Sequence, residues 1–232
     1  KLTEPPSKWA AMGTQLHACV QDDQAFRKEK DHLSSDDLNA VEYAREIVAN
    51  QKAIGAQVLH EQFVSVRNAT GRKIVNGRQD MVALFKDQQE ADLTDWKFGY
   101  REVEDPEDNL QLKGYFVGTM QQYPWVRRVR LLIQMPRFSK ALGPYEMDRL
   151  DLGPALEELE EVYQDATRNQ LFTYNPGFTQ CQYCKARHTC TALTALKGLF
   201  GDYRESEAPV NSEDAADLFD TAKLVRKGAE ET

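Results

Sequence analysis

Asp95 and Lys97 stand two apart in Leu93-Thr94-Asp95-Trp96-Lys97-Phe98, a stretch whose composition reads as a strand. Alternation sends their side chains to one face, about 7 Å apart along the chain, while Trp96 points the other way into a core. Asp80 lies on the preceding strand, and pairing of the two strands would bring its carboxylate beside that of Asp95. Two carboxylates and an ammonium converging in this way suit hydrolysis of a phosphodiester. The carboxylates hold Mg²⁺ or Mn²⁺, the cation activates water and neutralises phosphate charge, and the lysine orients that water or steadies the developing charge. Trp96 has a backbone carbonyl to add to the same cation. Taken alone, Asp-x-Lys is a common tripeptide that forms exposed ion pairs, so the surrounding residues must decide.

Those surroundings form an ordered set. Val75-Asn76-Gly77-Arg78-Gln79-Asp80 followed by Leu93-Thr94-Asp95-Trp96-Lys97-Phe98-Gly99 resembles the RecB-like branch of the PD-(D/E)XK nuclease superfamily. In that branch a glycine-preceded aspartate leads to a strand bearing Asp-x-Lys. Gln111-Leu112-Lys113-Gly114-Tyr115 is similar to its Gln-x-x-x-Tyr motif, and Gln111 and Tyr115, four apart, share one helix face. The resemblance implies that both lie next to the active site and contact substrate or support the lysine. Upstream, Gly13-Thr14-x-x-His17 resembles the first motif, whose histidine is a ligand to the catalytic metal; Glu61 matches a glutamate near that metal. The implied set is thus Asp80, Asp95, Lys97, Gln111 and Tyr115 as catalytic residues, with His17, Glu61, Asp80, Asp95 and Trp96 around Mg²⁺ or Mn²⁺. His60 faces the opposite side of its strand and is given no role.

A second constellation lies near the C-terminus. Cys181-x-x-Cys184 and Cys190 form a tight loop and a return that can gather three thiolates round one metal centre, and so few cysteines fit ligation better than a secreted disulfide scaffold. This spacing resembles the iron-sulfur nucleases of the RecB-like group, including bacterial helicase-nuclease subunits and CRISPR-associated exonucleases, and implies a [4Fe-4S] cluster. In that group the fourth cysteine precedes the first histidine motif, whereas here Cys19 follows His17 by two residues, about 200° round the helix. Cys19 is then either the fourth ligand or a buried thiol, with the true ligand upstream of Lys1. Zn²⁺ is the competing metal, because His188 completes a Cys3His set with Cys181, Cys184 and Cys190. Either metal would staple the C-terminal segment rather than do chemistry.

The elements that must position these residues follow from periodicity. Residues 1–55 read as an amphipathic helical cap: one helix runs through Trp9, Leu16 and Val20, and a second starts near Ser35-Asp36-Asp37 and continues through Leu38, Val41, Ala44 and Val48. Residues 56–172 read as the core. It holds a strand from Val58 to Val66, one bent strand from Lys73 to Phe85 running through Asn76-Gly77, and a strand from Asp92 to Phe98. A helix from Pro106 to Gln122, a strand from Val126 to Gln134 and a long acidic helix from Pro154 to Gln170 complete it. Residues 173–200 form the cysteine segment and 201–232 a polar tail. The order helices, strands, helix, strand, helix gives an α/β (α+β) fold, and the resemblance implies a restriction-endonuclease-like core, a central mixed sheet flanked by helices.

The middle of the chain adds to the likeness. Val129-Arg130-Leu131-Leu132-Ile133-Gln134-Met135-Pro136-Arg137 and the long helix resemble phage and prophage nucleases of the same superfamily, over about residues 5–195. The implied activity is a DNA exonuclease in recombination or repair, with DNA as partner and a recombinase or single-strand annealing protein beside it. The alternative is a non-catalytic nucleic-acid-binding or assembly module on the same fold. Net charge is −8, which argues against broad electrostatic coating of DNA, although Arg127, Arg128, Arg130, Arg137 and Lys140 form a local basic stretch. With no apolar run of about 20 residues, no membrane span is expected, and the cytoplasm, that of a bacterial host if phage-encoded, is the expected location.

Overall fold

The computed structural model describes residues 8–100, 103–167, 184 and 189–192. The chain divides into two compact units, Lys1–Arg168 and Asn169–Thr232. The first carries all the regular elements that follow.

Helix α1 (Lys8–Gln21) and the short α2 (Asp23–Glu29) are separated by Asp22, whose carboxylate accepts from the backbone N–H groups of Gln24 and Ala25 and caps α2. A 3-10 turn, Lys30–His32, leads to α3 (Ser35–Ala53). Ser34 is the cap of α3: its hydroxyl accepts from the N–H of Asp37 and donates to the Asp37 carboxylate at 2.6 Å. The helix starts at Ser35 as expected, and Ser34, with extended backbone, is the residue that can turn its oxygen to the third N–H of the helix.

Strands β1 (Gln57–Arg67), β2 (Lys73–Phe85) and β3 (Glu90–Trp96) form an antiparallel meander, and β2 continues through Asn76-Gly77 as expected. Helix α4 (Leu110–Gln122), capped by Asn109, crosses back so that β4 (Arg128–Met135) pairs parallel to β3. A 3-10 turn, Pro136–Phe138, leads to β5 (Lys140–Asp148), antiparallel to β4, and α5 (Leu152–Thr167) closes the unit. The result is a five-stranded mixed sheet in the order β1-β2-β3-β4-β5, flanked by helices. Neither α2 nor β5 was expected from the sequence. α2 buries none of its residues, and β5 is largely exposed and interrupted by Gly143-Pro144, so neither carries an apolar periodicity.

One face of the sheet packs Val64, Val82, Leu84, Leu93, Leu131 and Ile133 against Leu112, Phe116 and Met120 of α4 and Leu159 of α5. The other packs Met81, Trp96 and Phe98 against Leu16 and Val20 of α1 and Val41, Ala44 and Val48 of α3. The N-terminal helices are therefore a structural layer of the same unit.

Candidate metal centre

β1 and β2 change phase together. Leu59 packs on the α4 side, but so do Val64 and Val66, an odd and then an even set. In β2, Gly77 and Gln79 face α4, whereas farther along it is Val82 and Leu84 that do so. The inversion falls at one place: the ladder pairs His60 with Met81 and Gln62 with Gln79, skipping Glu61 and Asp80, and Glu61 has a left-handed φ of 49°. Such a local break re-aims side chains, and a non-glycine residue held in this conformation is a strained feature typical of functional sites.

The β2–β3 ladder opens at the same level. Its last pair is Met81 with Thr94, one residue short of Asp80 and Asp95. In place of a ladder bond, the Trp96 N–H donates to Asp80 Oδ2 at 2.8 Å. β3 meanwhile stays paired to β4 as far as Trp96, and the Lys97 N–H donates to the Gln134 carbonyl. The β2–β3 pairing thus ends here while β3 stays paired to β4.

At this level α1 brings His17, whose Nδ1 lies 3.6 Å from Asp80 Oδ1. Single ligand atoms of His17, Glu61 and Asp80 lie within 4.8 Å of one another, and all three residues are partly buried. Gln21, one turn beyond His17, donates to Glu61 at 2.8 Å and orients it. Asp95 is buried beside this triad but held by other groups: Lys97 Nζ is 2.7 Å from its Oδ2, and Gln111 Nε2 donates to its Oδ1 at 3.0 Å. Gln111 also donates to the Tyr115 hydroxyl at 2.8 Å, and that hydroxyl donates to the Arg78 carbonyl.

Electrostatics knit the set together. Burial pushes the Asp80 carboxyl up to about 6; His17 draws it back, the neighbouring Asp95 charge raises it, and the Trp96 N–H and Lys97 oppose that rise. Burial also raises Tyr115, with Asp95, Asp80 and Glu61 all adding in the same direction. Crowded, desolvated carboxylates with an imidazole among them are the donor set that a hard divalent cation relieves, so these residues fit Mg²⁺ or Mn²⁺.

A family model described as a protein of unknown function, DUF2800, matches residues 4–231. The chain belongs to the DUF2800 family. No curated protein matches it. Among solved structures, the crystal structure of SSO0001 is similar over 76% of this DUF2800 chain and 85% of that chain, at 16% identity and a TM-score of 0.39, too distant to carry an argument.

Within this DUF2800 member, the expected site residues fall into two neighbouring groups: His17, Glu61 and Asp80 with the Trp96 N–H, and Asp95 with Lys97, Gln111 and Tyr115, the Asp95 charge acting on Asp80. Trp96 joins through its N–H, and its indole is buried against α1 and α3. Two further residues support this set, the first of them unread in the sequence. Gln21 orients Glu61, for which one helical turn after His17 is the available signal. Gly77 is the other: a Cβ there would lie 2.9 Å from the Tyr115 ring, so only glycine lets that ring slide beneath β2 to reach Arg78.

The arginine stretch divides. Arg128 pairs with Glu90 and Glu146, and Arg130 with Asp92 at 2.6 Å. These pairs lie where β3 and β4 begin, whereas Asp95 and Lys97 lie where β3 ends. Of the cysteine set, Cys19 is fully buried among Leu16, Val20 and their neighbours, and burial pushes its thiol up. Cys184 is exposed and Cys190 partly buried, while Cys181 and His188 lie outside the described residues. Among the described residues no helix is long and apolar enough to cross a membrane.

Proposed function

We propose that this chain is a Mg²⁺- or Mn²⁺-dependent DNA nuclease on a restriction-endonuclease-like core, of the RecB-like PD-(D/E)XK type, acting as an exonuclease in recombination or repair. The observation that supports it most is the meeting of Asp80, Asp95 and Lys97 with His17 and Glu61 at one end of the β2–β3 pairing. Asp80 and Asp95 belong to different strands and stand side by side at the level where the β2–β3 ladder ends.

In this reading His17, Glu61, Asp80 and Asp95, with the Trp96 carbonyl, hold the cation. When bound, it supplies an activated water and neutralises charge on the scissile phosphate. Lys97, 2.7 Å from Asp95 Oδ2, would supply the ammonium that orients the water. Gln111 holds Asp95 from the other side, and Tyr115 anchors Gln111 to β2.

The second metal in this reading is a [4Fe-4S] cluster on Cys181, Cys184 and Cys190, with Zn²⁺ and His188 as the competing set. Cys19 is read as a structural thiol, since its burial in the α1–α3 core keeps it protonated and away from solvent. An absorption band near ~400 nm in the purified protein supports iron-sulfur, and a colourless protein with stoichiometric zinc removes it. DNA is the expected partner, with a recombinase or annealing protein beside it, in the cytoplasm of a bacterial host.

End-labelled single- and double-stranded DNA incubated with Mn²⁺ tests the activity. Cleavage by wild type should fall by at least ~10²-fold in Lys97→Ala and in Asp95→Ala. Full activity in Asp95→Ala would falsify the assignment. Tight DNA binding without cleavage under any divalent cation turns the reading to a non-catalytic binding module.

A further inference from the structure

Arg137 is two residues past the end of β4, in the turn Pro136–Phe138, and its side chain is buried: 7% exposed, against 9% for its partner Asp37. Because β4 runs parallel to β3, its C-terminal end arrives at the same end of the sheet as Asp95 and Lys97. Each edge of the guanidinium is engaged there. Nε donates to the Phe98 carbonyl at 2.5 Å, Nη1 donates to the Tyr100 hydroxyl at 3.1 Å, and Nη2 donates to Asp37. The cation also lies 4.6 Å from the centre of the Tyr100 ring.

The far side of this clamp is the metal centre. Phe98 immediately follows Lys97, so holding its carbonyl fixes the backbone from which the lysine springs. Its ring meets His17 edge to face, with centroids 5.4 Å apart, and so limits how the imidazole can turn relative to Asp80. Asp37, in turn, is tied to the N-terminus of α3 through Ser34. Two charges buried together stabilise little when compared with apolar residues of the same size, so an ion pair kept in this place is better explained by the geometry it imposes.

Resting on the nuclease reading above, we infer that Arg137 is a positioning residue for the cation site: through Phe98 it sets both the Lys97 backbone and the His17 ring. Its guanidinium fork, rather than its charge, is the working feature, because three acceptors in one plane need three directed donors. Asp37 orients that fork. Arg130, paired to Asp92 at the start of the same strand, is an internal comparison with the same pair chemistry and no path to the site.

The test compares full-length Arg137→Lys, Arg130→Lys and Phe98→Leu with wild type, using Mn²⁺ affinity by titration calorimetry beside kcat and KM on DNA, with each variant's melting temperature recorded. Outer-shell partners of metal ligands typically matter by about 10- to 100-fold in metal affinity or activity. Arg137→Lys should weaken Mn²⁺ binding and lower kcat within that range with KM little changed. Phe98→Leu, which keeps the carbonyl and loses the ring, should weaken Mn²⁺ binding. Arg130→Lys should leave both measurements within about twofold even if it melts lower. If Arg137→Lys binds Mn²⁺ like wild type, or if Arg130→Lys matches its losses, the inference is overturned. Should wild type bind Mn²⁺ yet cut no DNA, the nuclease reading fails while the calorimetric comparison still decides this one. No Mn²⁺ binding by wild type overturns both.

Discussion

At the scale of single residues, Asp80 shows how a site can be destabilising until it is filled. Unfolded, its carboxyl titrates near 3.8; folded, near 6. Between those values the folded protein holds a proton that the unfolded chain has released, so the metal-free stability contributed by this group is present below about pH 4 and is lost as pH rises through 6. Asp80→Asn carries no charge at any pH and can still accept from the Trp96 N–H. The metal-free variant should be more stable than wild type at pH 7.5 by on the order of 1–3 kcal/mol, and the gap should close near pH 4. Chemical denaturation at the two pH values in chelator measures this, and an equal gap at both would show that the charge is not the cause. Gly77 gives the steric counterpart. Gly77→Ala should cost about 1–3 kcal/mol by pushing the Tyr115 ring from beneath β2, and much less in a Tyr115→Ala background, a coupling that a double-mutant cycle reads.

At the scale of elements, α4 is the part whose seating decides whether Gln111 reaches Asp95. It lies so close to β1 that a Cβ at Gly118 would come within 2.8 Å of the Val64 Cβ. Neither backbone nor a branched side chain gives way cheaply, so Gly118→Ala should lift α4 and lose about 1–3 kcal/mol, and under the proposed function nuclease activity should fall because Gln111 retreats. Val64→Gly in the same chain removes the Cβ that the new methyl meets and should bring Gln111 back toward Asp95, at its own cost to β1; no recovery of the Gln111 contact would mean that the helix position is set elsewhere. How much was legible also divides by element. β2 was readable through Asn76-Gly77 because apolar residues continue on both sides. β5 was not, since pairing with β4 rather than burial holds it. The early end of the β2–β3 ladder, beside Asp80 and Asp95, leaves no mark in composition at all.

At the scale of the whole molecule, the proposed function would require a net charge of −8 to coexist with a polyanionic substrate. The arginines that look available in the sequence are largely spent within the sheet: Arg128 and Arg130 face Glu90, Asp92 and Glu146. Arg128→Ala should therefore leave DNA affinity, and the steepness of its salt dependence, unchanged, whereas a true phosphate contact would reduce the log–log slope by about 0.9. Fluorescence anisotropy over a salt series distinguishes these results. A bound cation should act on the whole fold as well as on the site: Mn²⁺ at about 100 times its dissociation constant should add about 2.7 kcal/mol to the stability of wild type, and far less to that of Asp80→Asn. Melting curves with and without Mn²⁺ give the comparison.

By itself the sequence determined which side chains are candidates for the proposed chemistry and which elements carry them, because residue types and short spacings are local properties: Asp-x-Lys on a strand, Gln and Tyr one turn apart, a histidine on an amphipathic helix. Only the tertiary structure decided how those local pieces meet. The shared phase change at Glu61 and Asp80, the early end of the β2–β3 pairing, and the burial of Arg137 against Asp37 depend on strands and helices distant in the chain coming into register. No window of neighbouring residues encodes such contacts, since they exist only once packing has fixed where each element ends.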